Sequence, residues 1–166
     1  CFVADSVGAH LREHSQPRPG PVVDASRDRA VVGRHEGVQF YTVGQKRGLG
    51  LFKSHEPRFV LDLEPETNTV VVGPREACQW DELRADRVNL LADPSEVEGR
   101  RMAQVRYRQT PVPADVALVD GELHVRFDAP QFAVTVGQSV VIYDGDRLLG
   151  GGVIRERGAR HASRLT

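Results

Sequence analysis

The sequence has 166 residues, 40% apolar and 27% charged, a composition typical of one ordinary or two small soluble globular domains. No apolar run approaches the length of a membrane-spanning helix, which argues against a membrane protein. The formal net charge of −1 excludes a basic field over the whole molecule, so nucleic-acid binding would depend on local basic patches.

The first segment, residues 1–20, is predicted to contain one short helix and a stiff connector. Apolar residues recur at spacings of four within residues 2–14, which favours a helix. The prolines of residues 16–21 then interrupt that pattern. The chain opens on Cys1 without a methionine, and we expect it to be the C-terminal part of a longer protein.

Residues 21–82 are predicted to form a small β-rich domain, because short β-prone runs alternate with turn residues. A hairpin is predicted from residues 58–63 to residues 69–72, with a polar turn between them. The other predicted elements are strands at 22–23, 30–32 and 38–43 and a helical turn at 80–83.

A glycine-rich loop is predicted at residues 41–50, where three glycines occur within seven residues. Glycine destabilises helix and strand interiors, so the segment favours a sharp turn or a close backbone approach. Gln45, Lys46 and Arg47 lie in its middle and are suited to contacting phosphate. An ordinary turn with solvated charges is the alternative, since the spacing matches no phosphate-loop or dinucleotide-binding motif.

Residues 83–156 are predicted to form a small closed antiparallel β-barrel. Asp-Gly pairs at 120–121 and 144–145 mark hairpin turns. The six predicted strands are 87–91, 101–108, 114–119, 123–127, 139–143 and 148–154. Residues 157–166, rich in arginine, are predicted to form a disordered tail.

Cys1 is the most reactive candidate in the sequence. A thiolate can act as a nucleophile or carry sulfur if a nearby base activates it, whereas most cysteines are small buried apolar residues. Cys78 is interpreted as such a buried residue. Two cysteines this far apart indicate neither a disulfide scaffold nor a metal site, and they favour a reducing, cytoplasmic setting. His10 and His14 lack a third ligand, so no metal site is predicted.

A basic strand is the second candidate. On a strand over residues 101–108, Gln104, Arg106 and Arg108 would share one face and could clamp a phosphate backbone. Tyr107, on the other face, could anchor the core or stack on a base. Ordinary solvent-facing arginines are the alternative.

An ordered set of motifs along nearly the whole chain resembles the tRNA-specific 2-thiouridylase family. The motifs are CFV at 1–3, PGPVVD at 19–24, GRHEG at 33–37, residues 41–51, NTVVVGP at 68–74, VRYRQ at 105–109, FDAP at 127–130, GQS at 137–139 and the glycine-rich stretch of 143–152. The resemblance implies a mainly β chain: a central linking domain followed by a six-stranded barrel like domain 2 of elongation factors.

The resemblance also implies an enzyme that replaces the C2 oxygen of the wobble uridine of tRNA with sulfur. ATP, with Mg²⁺, would adenylate that oxygen in an N-terminal pyrophosphatase-type domain that this sequence does not include. The chain alone is therefore expected to be inactive and to bind no cofactor. Cys1 matches the cysteine whose persulfide displaces AMP, with sulfur supplied by a cysteine desulfurase or a sulfur-relay protein.

The resemblance places Arg106, Tyr107 and Gln138 at tRNA contacts, and it implies tRNA as the partner, through its anticodon region and wobble uridine. Adding the cations identified above, the predicted tRNA-binding residues are Arg106, Tyr107, Gln138, Arg108, Lys46 and Arg47. We expect a cytoplasmic monomer without membrane contact and a weak, salt-sensitive affinity for tRNA. The alternatives are a non-catalytic RNA- or protein-binding barrel and a connector that only docks a partner domain.

Overall fold

The computed structural model describes residues 17–52, 56–107 and 109–158. The chain divides into two compact units, residues 1–78 and 79–166. Within the described ranges, no helix combines the length and the apolar character needed to cross a membrane. The helix predicted within residues 2–14, and the predicted tail from residue 159 onward, lie outside the described residues.

The first unit is built on a four-stranded mixed sheet in which β1 and β4 are parallel and the other neighbours are antiparallel. The sheet order is β2-β1-β4-β3, with strands β1 (Gly20–Asp24), β2 (Ala30–His35), β3 (Phe59–Glu64) and β4 (Thr69–Gly73). Valines dominate these strands because β-branched side chains suit a pleated, half-buried surface. The core residues are Val22, Leu49, Val60, Val70 and Val72.

The predicted hairpin between β3 and β4 is confirmed. Asn68 takes a left-handed conformation with φ of 50°, which asparagine tolerates better than most residues. Its Nδ2 donates hydrogen bonds of 3.1 Å to the carbonyl oxygens of Arg18 and Pro19. The turn is therefore also hydrogen-bonded to the segment that leads into β1.

The strand predicted at residues 38–43 was wrong. Val38–Phe40 forms a short 3₁₀ helix whose backbone hydrogen bonds are local. A further strand would have to pair with the outer edge of β2. Backbone groups on that edge are already hydrogen-bonded, because Arg34 N donates to Gly50 O at 3.0 Å and Phe52 N donates to Val32 O at 2.8 Å. The glycine-rich loop returns the chain to that edge.

A buried ion pair links β1 to the residue just before β3. Arg58 Nε donates to Asp24 Oδ2 at 2.8 Å, and the two side chains are only 7% and 2% exposed. Ser26 donates to Asp24 Oδ1 from its backbone N, at 2.9 Å, and from its hydroxyl, at 2.6 Å. The carboxylate is therefore hydrogen-bonded on both oxygens.

The second unit is a closed six-stranded antiparallel barrel, which confirms the predicted mainly β fold. Its strand order is β10-β5-β8-β7-β6-β9. The strands are β5 (Gln79–Leu90), β6 (Gly99–Gln104), β7 (Val112–Val119), β8 (Glu122–Phe132), β9 (Ser139–Asp144) and β10 (Arg147–Arg157), and the short helix α1 (Pro94–Val97) lies between β5 and β6. The barrel interior is filled by apolar side chains that include Leu83, Val125, Ile142 and Leu149.

The Asp120-Gly121 turn is confirmed as a tight hairpin between β7 and β8. Val119 pairs with Glu122, so the loop has two residues, and both have positive φ, 51° and 81°. Positive φ at both positions is the pattern of a type I′ turn, whose twist matches that of the strands it joins.

The helical turn predicted at residues 80–83 was wrong, because these residues belong to β5. The turn lies earlier, where Arg75–Cys78 forms a 3₁₀ helix. Strand β5 then runs for twelve residues and pairs with both β8 and β10, which closes the barrel. A register shift between Trp80 and Glu82 breaks the simple alternation of buried and exposed residues at its start.

Candidate nucleic-acid interface

Arg106 and Tyr107 lie in a turn that follows β6. The strand predicted to residue 108 ends at Gln104, so Arg106 does not share a strand face with Gln104. Just beyond the end of the strand, the side-chain amide of Gln104 donates to the carbonyl oxygen of Gln109, with an N···O distance of 2.5 Å. Arg108 lies outside the described residues, so its predicted alignment with Arg106 stays a prediction.

The turn is anchored by Val105 and presents Tyr107 to solvent. Val105 is 1% exposed and lies in the barrel core. Gln109 N donates to Arg106 O at 3.2 Å and closes the turn. Tyr107 is 91% exposed, so its ring anchors no core and is available for stacking.

One surface pocket brings together Arg106, Tyr107 and Gln138. The pocket has a volume of about 620 Å³ and is otherwise lined by Val105, Gly137, Ser139 and Val141. Arg106 and Tyr107 come from the turn between β6 and β7, whereas Gln138 comes from the loop before β9. Three residues predicted as RNA contacts from two separate motifs are therefore neighbours on one surface of the barrel.

The backbone of the second loop is fixed by hydrogen bonds to β10. Gly137 N donates to Ile154 O, and Ile154 N donates to Gln138 O, both at 2.8 Å. Gly137 has φ of 87°, a conformation that favours glycine. Gln138 therefore offers an exposed amide from a rigid position.

Arg106 is placed against an aromatic ring. Its guanidinium carbon lies 5.9 Å from the centroid of the Phe132 ring, within the range of a cation–π contact. Phe132 ends β8, so this contact packs the turn against a third strand of the barrel. The guanidinium is half-buried and keeps one positive charge at the rim of the pocket.

A chain of side-chain hydrogen bonds, which we call the amide chain, supports the same turn. Tyr143 OH donates to Gln104 Oε1 at 3.2 Å, and Gln104 Nε2 donates to Gln109 O at 2.5 Å. Gln109 Nε2 donates to Gln131 Oε1 at 2.7 Å, and Gln131 Nε2 donates to Ala129 O at 2.6 Å. The sequence interpretation gave Gln131 and Tyr143 no role. Gln131 directly follows the FDAP motif, and Tyr143 begins the glycine-rich stretch of 143–152.

In the first unit, the glycine-rich loop is held at both ends. Val43 and Leu49 are buried, and Gly44 N donates to Val60 O at 2.8 Å. Gly50 has φ of 62°, and a Cβ atom there would lie 2.0 Å from the carbonyl oxygen of Arg34. Only glycine fits at this position, as the composition of the loop predicted.

The tip of this loop exposes Lys46 and Arg47. The side chain of Gln45 shapes the tip, because its Oε1 accepts from Thr42 N at 3.1 Å and its Nε2 donates to Arg47 O at 2.8 Å. Gln45 is therefore a structural residue, and the two cations are the groups presented to solvent.

Arg75 adds a third cation to this region, which sequence reasoning missed. Lys46 Nζ and Arg75 Cζ lie 5.9 Å and 5.8 Å from the centroid of the same ring, that of Phe59. Arg75 follows β4, far from the loop in sequence, so only the fold brings the two cations to one ring. We define Lys46, Arg47 and Arg75 as the basic loop cluster.

The structure describes only one of the two cysteines. Cys1 lies outside the described residues. Cys78 is 1% exposed and its thiol donates to Val60 O at 3.6 Å, which confirms the prediction of a buried residue. Among the described residues, no three His, Cys, Asp or Glu side chains are grouped as metal ligands.

Two family models match the chain. Residues 8–74 match the tRNA methyl transferase PRC-barrel domain, and residues 80–154 match the aminomethyltransferase beta-barrel domain. These matched ranges follow the two units of the structure.

The chain is also similar to curated proteins named tRNA-specific 2-thiouridylase MnmA. It is 53% identical to the protein of Thermus thermophilus over 93% of this chain and 41% of the relative. It is 46% identical to that of Deinococcus radiodurans over 100% and 43%, and 45% identical to that of Frankia casuarinae over 95% and 45%. The chain thus spans less than half the length of these relatives. With two matching domain models and relatives of one name across nearly all of its residues, the chain belongs to the tRNA-specific 2-thiouridylase family.

Proposed function

We propose that this chain is the tRNA-holding and sulfur-delivering part of a tRNA-uridine 2-sulfurtransferase, which thiolates C2 of the wobble uridine. The observation that carries the proposal is the pocket shared by Arg106, Tyr107 and Gln138. It combines a guanidinium, an exposed aromatic ring and an amide, the groups with which proteins hold single-stranded RNA.

Each of the three side chains has a role that its setting supports. Tyr107 stacks on an unpaired base of the anticodon loop, because its ring is open to solvent. Arg106 contacts a phosphate or stacks on a neighbouring base, with Phe132 orienting its guanidinium. Gln138 donates to and accepts from a base edge or a sugar.

The sulfur chemistry rests on Cys1. The terminal sulfur of a Cys1 persulfide forms the bond to C2 of the uridine, and AMP leaves with the oxygen it had activated. The thiol of a second cysteine, expected in the N-terminal domain outside this sequence, then attacks Cys1 Sγ. The S–S bond to the transferred sulfur breaks, 2-thiouridine is released, and a disulfide forms between the two cysteines. ATP and Mg²⁺ are expected to act outside this sequence, as is the cysteine desulfurase or relay protein that supplies sulfur. The role of this chain is to hold the RNA and to present the sulfur.

Alanine at Tyr107 is expected to weaken tRNA binding by the full-length gene product about 5- to 150-fold, because base stacking contributes roughly 1–3 kcal/mol. Fluorescence anisotropy with a labelled unmodified tRNA measures the effect. The fold should be unaffected, since the side chain is almost fully exposed. The matched control is Val119→Ala, also exposed but at the opposite end of the β7–β8 hairpin. Equal affinities for Tyr107→Ala and wild type would favour a connector that does not hold RNA.

The basic loop cluster is expected to contact phosphate. Lys46→Ala and Arg47→Ala should each lower the slope of log affinity against log salt concentration by about 0.7–0.9, the value for one lost phosphate contact. Titrations of tRNA binding at several salt concentrations measure the slope. Arg84→Ala is the control for charge, because Arg84 faces Glu156 at 3.6 Å on the barrel. Slopes unchanged from wild type would identify the loop as a turn with solvated charges.

A further inference from the structure

The turn that carries Arg106 and Tyr107 is a short connection between two strands of the barrel. It leaves β6 at Gln104 and joins β7 at Val112, and it is closed by the hydrogen bond between Gln109 N and Arg106 O. Tyr107 is 91% exposed. A segment of this kind populates many conformations unless other groups hold it, and ordering it during binding would lower affinity.

The amide chain fixes both ends of this turn by hydrogen bonds. Gln104 bonds the carbonyl oxygen of Gln109 and so joins the start of the turn to its end. The side chain of Gln109 then bonds Gln131, which is 7% exposed near the end of β8. Tyr143 of β9 bonds Gln104 from the other side. Both ends of the turn are thereby fixed to neighbouring strands of a closed barrel.

Glutamine is suited to the position of residue 131. Its amide accepts a hydrogen bond from Gln109 and donates one to the carbonyl oxygen of Ala129 at the same time. A carboxylate can only accept, and a leucine can do neither. Because the site is buried, water does not replace a lost partner easily.

We propose that Gln104, Gln109, Gln131 and Tyr143 form a positioning network that holds the Arg106–Tyr107 turn in its RNA-binding shape. The proposal rests on the proposed function, since RNA is the ligand of that turn. It assigns none of the four residues a contact with RNA. They act through Arg106 and Tyr107.

A double-mutant cycle in the full-length gene product tests the network. Gln131→Leu should weaken tRNA affinity about ten-fold, and Tyr143→Phe, which removes one hydroxyl group, about two- to five-fold. Gln131→Glu keeps the acceptor for Gln109 and should fall between Gln131→Leu and wild type. In a background carrying Arg106→Ala and Tyr107→Ala, Gln131→Leu and Tyr143→Phe should weaken binding no further, because the network then positions nothing that touches RNA.

The outcomes separate this inference from the proposed function. If Arg106→Ala with Tyr107→Ala leaves tRNA affinity unchanged, the proposed function fails. If that pair weakens binding but Gln131→Leu and Tyr143→Phe do not, or weaken it equally in both backgrounds, the positioning network is overturned. Circular dichroism checks that Gln131→Leu is folded. If it is not, the cycle with Tyr143→Phe alone decides the question.

Discussion

Serine in place of Cys1 is expected to abolish thiolation of tRNA by the full-length gene product and to leave tRNA affinity unchanged. A hydroxyl group cannot carry a persulfide, whereas the RNA contacts proposed here lie on other residues. Thiolated tRNA is detected by its retardation in a mercury-containing gel, after incubation with ATP, a sulfur donor and unmodified tRNA.

Cys78→Ser is the matched control for this experiment. The Cys78 thiol is buried against Val60, so it is not accessible to a sulfur donor or to RNA. We expect the control to keep its retarded band. A retarded band that persists in Cys1→Ser would mean that Cys1 does not deliver the sulfur, and would leave the chain as a non-catalytic RNA-binding module.

The second prediction concerns the Asp24–Arg58 ion pair and the stability of the first unit. Replacing Arg58 with methionine is expected to lower the free energy of unfolding of the first unit by about 3–5 kcal/mol, because the buried carboxylate of Asp24 loses its buried cation. Among the described residues, only the exposed Arg27, whose Nε lies 3.6 Å from Asp24 Oδ2, then remains beside it. Urea denaturation followed by circular dichroism measures the loss.

Arg29→Met is the control, since Arg29 also forms a two-point pair with a carboxylate of this unit, that of Glu64. The Arg29 side chain is 54% exposed, so its loss should lower the free energy of unfolding much less than the loss of Arg58. Similar losses for the two variants would show that the Asp24–Arg58 pair is not a specific support of the sheet.

The Asp24–Arg58 pair is expected to make the stability of the first unit sensitive to acid. Burial alone raises the pKa of Asp24, but hydrogen bonds from Ser26 and Arg58 and the charge of Arg58 outweigh it and hold that pKa below its ordinary value. A carboxyl whose pKa is lowered by folding stabilises the fold above its unfolded pKa, about 3.9. This stability should fall as the pH drops below about 4 through the folded pKa, and Arg58→Met should show less of that loss.

Local sequence signals predicted the barrel well because its hairpins depend on them. The Asp120-Gly121 pair specifies a two-residue turn by itself, and valine-rich runs specify strands. The strand predicted at 87–91 is the end of β5, but the first part of β5 was missed because Trp80 and Asp81 are both buried, at the point where its register shifts. The alternation of buried and exposed residues with a period of two is not visible in the sequence across such a register shift.

The residues of the candidate site could be predicted from the sequence, but their arrangement in space could not. Arg106, Tyr107 and Gln138 were identified from motifs, yet only strand order brings the turn after β6 beside the loop before β9. The Gln109–Gln131 hydrogen bond and the contact of Arg75 with Phe59 likewise join residues that no local pattern relates. Side-chain pairs of this kind follow from tertiary structure.

We propose that the barrel pocket holds tRNA while the wobble uridine is thiolated. The most direct test is steady-state thiolation by the full-length gene product at varied tRNA concentration, comparing wild type, Tyr107→Ala and Val119→Ala. We predict that KM for tRNA rises in Tyr107→Ala by the same factor as the dissociation constant, with the rate at saturating tRNA retained and Val119→Ala unchanged. A KM in Tyr107→Ala equal to that of wild type would contradict the claim.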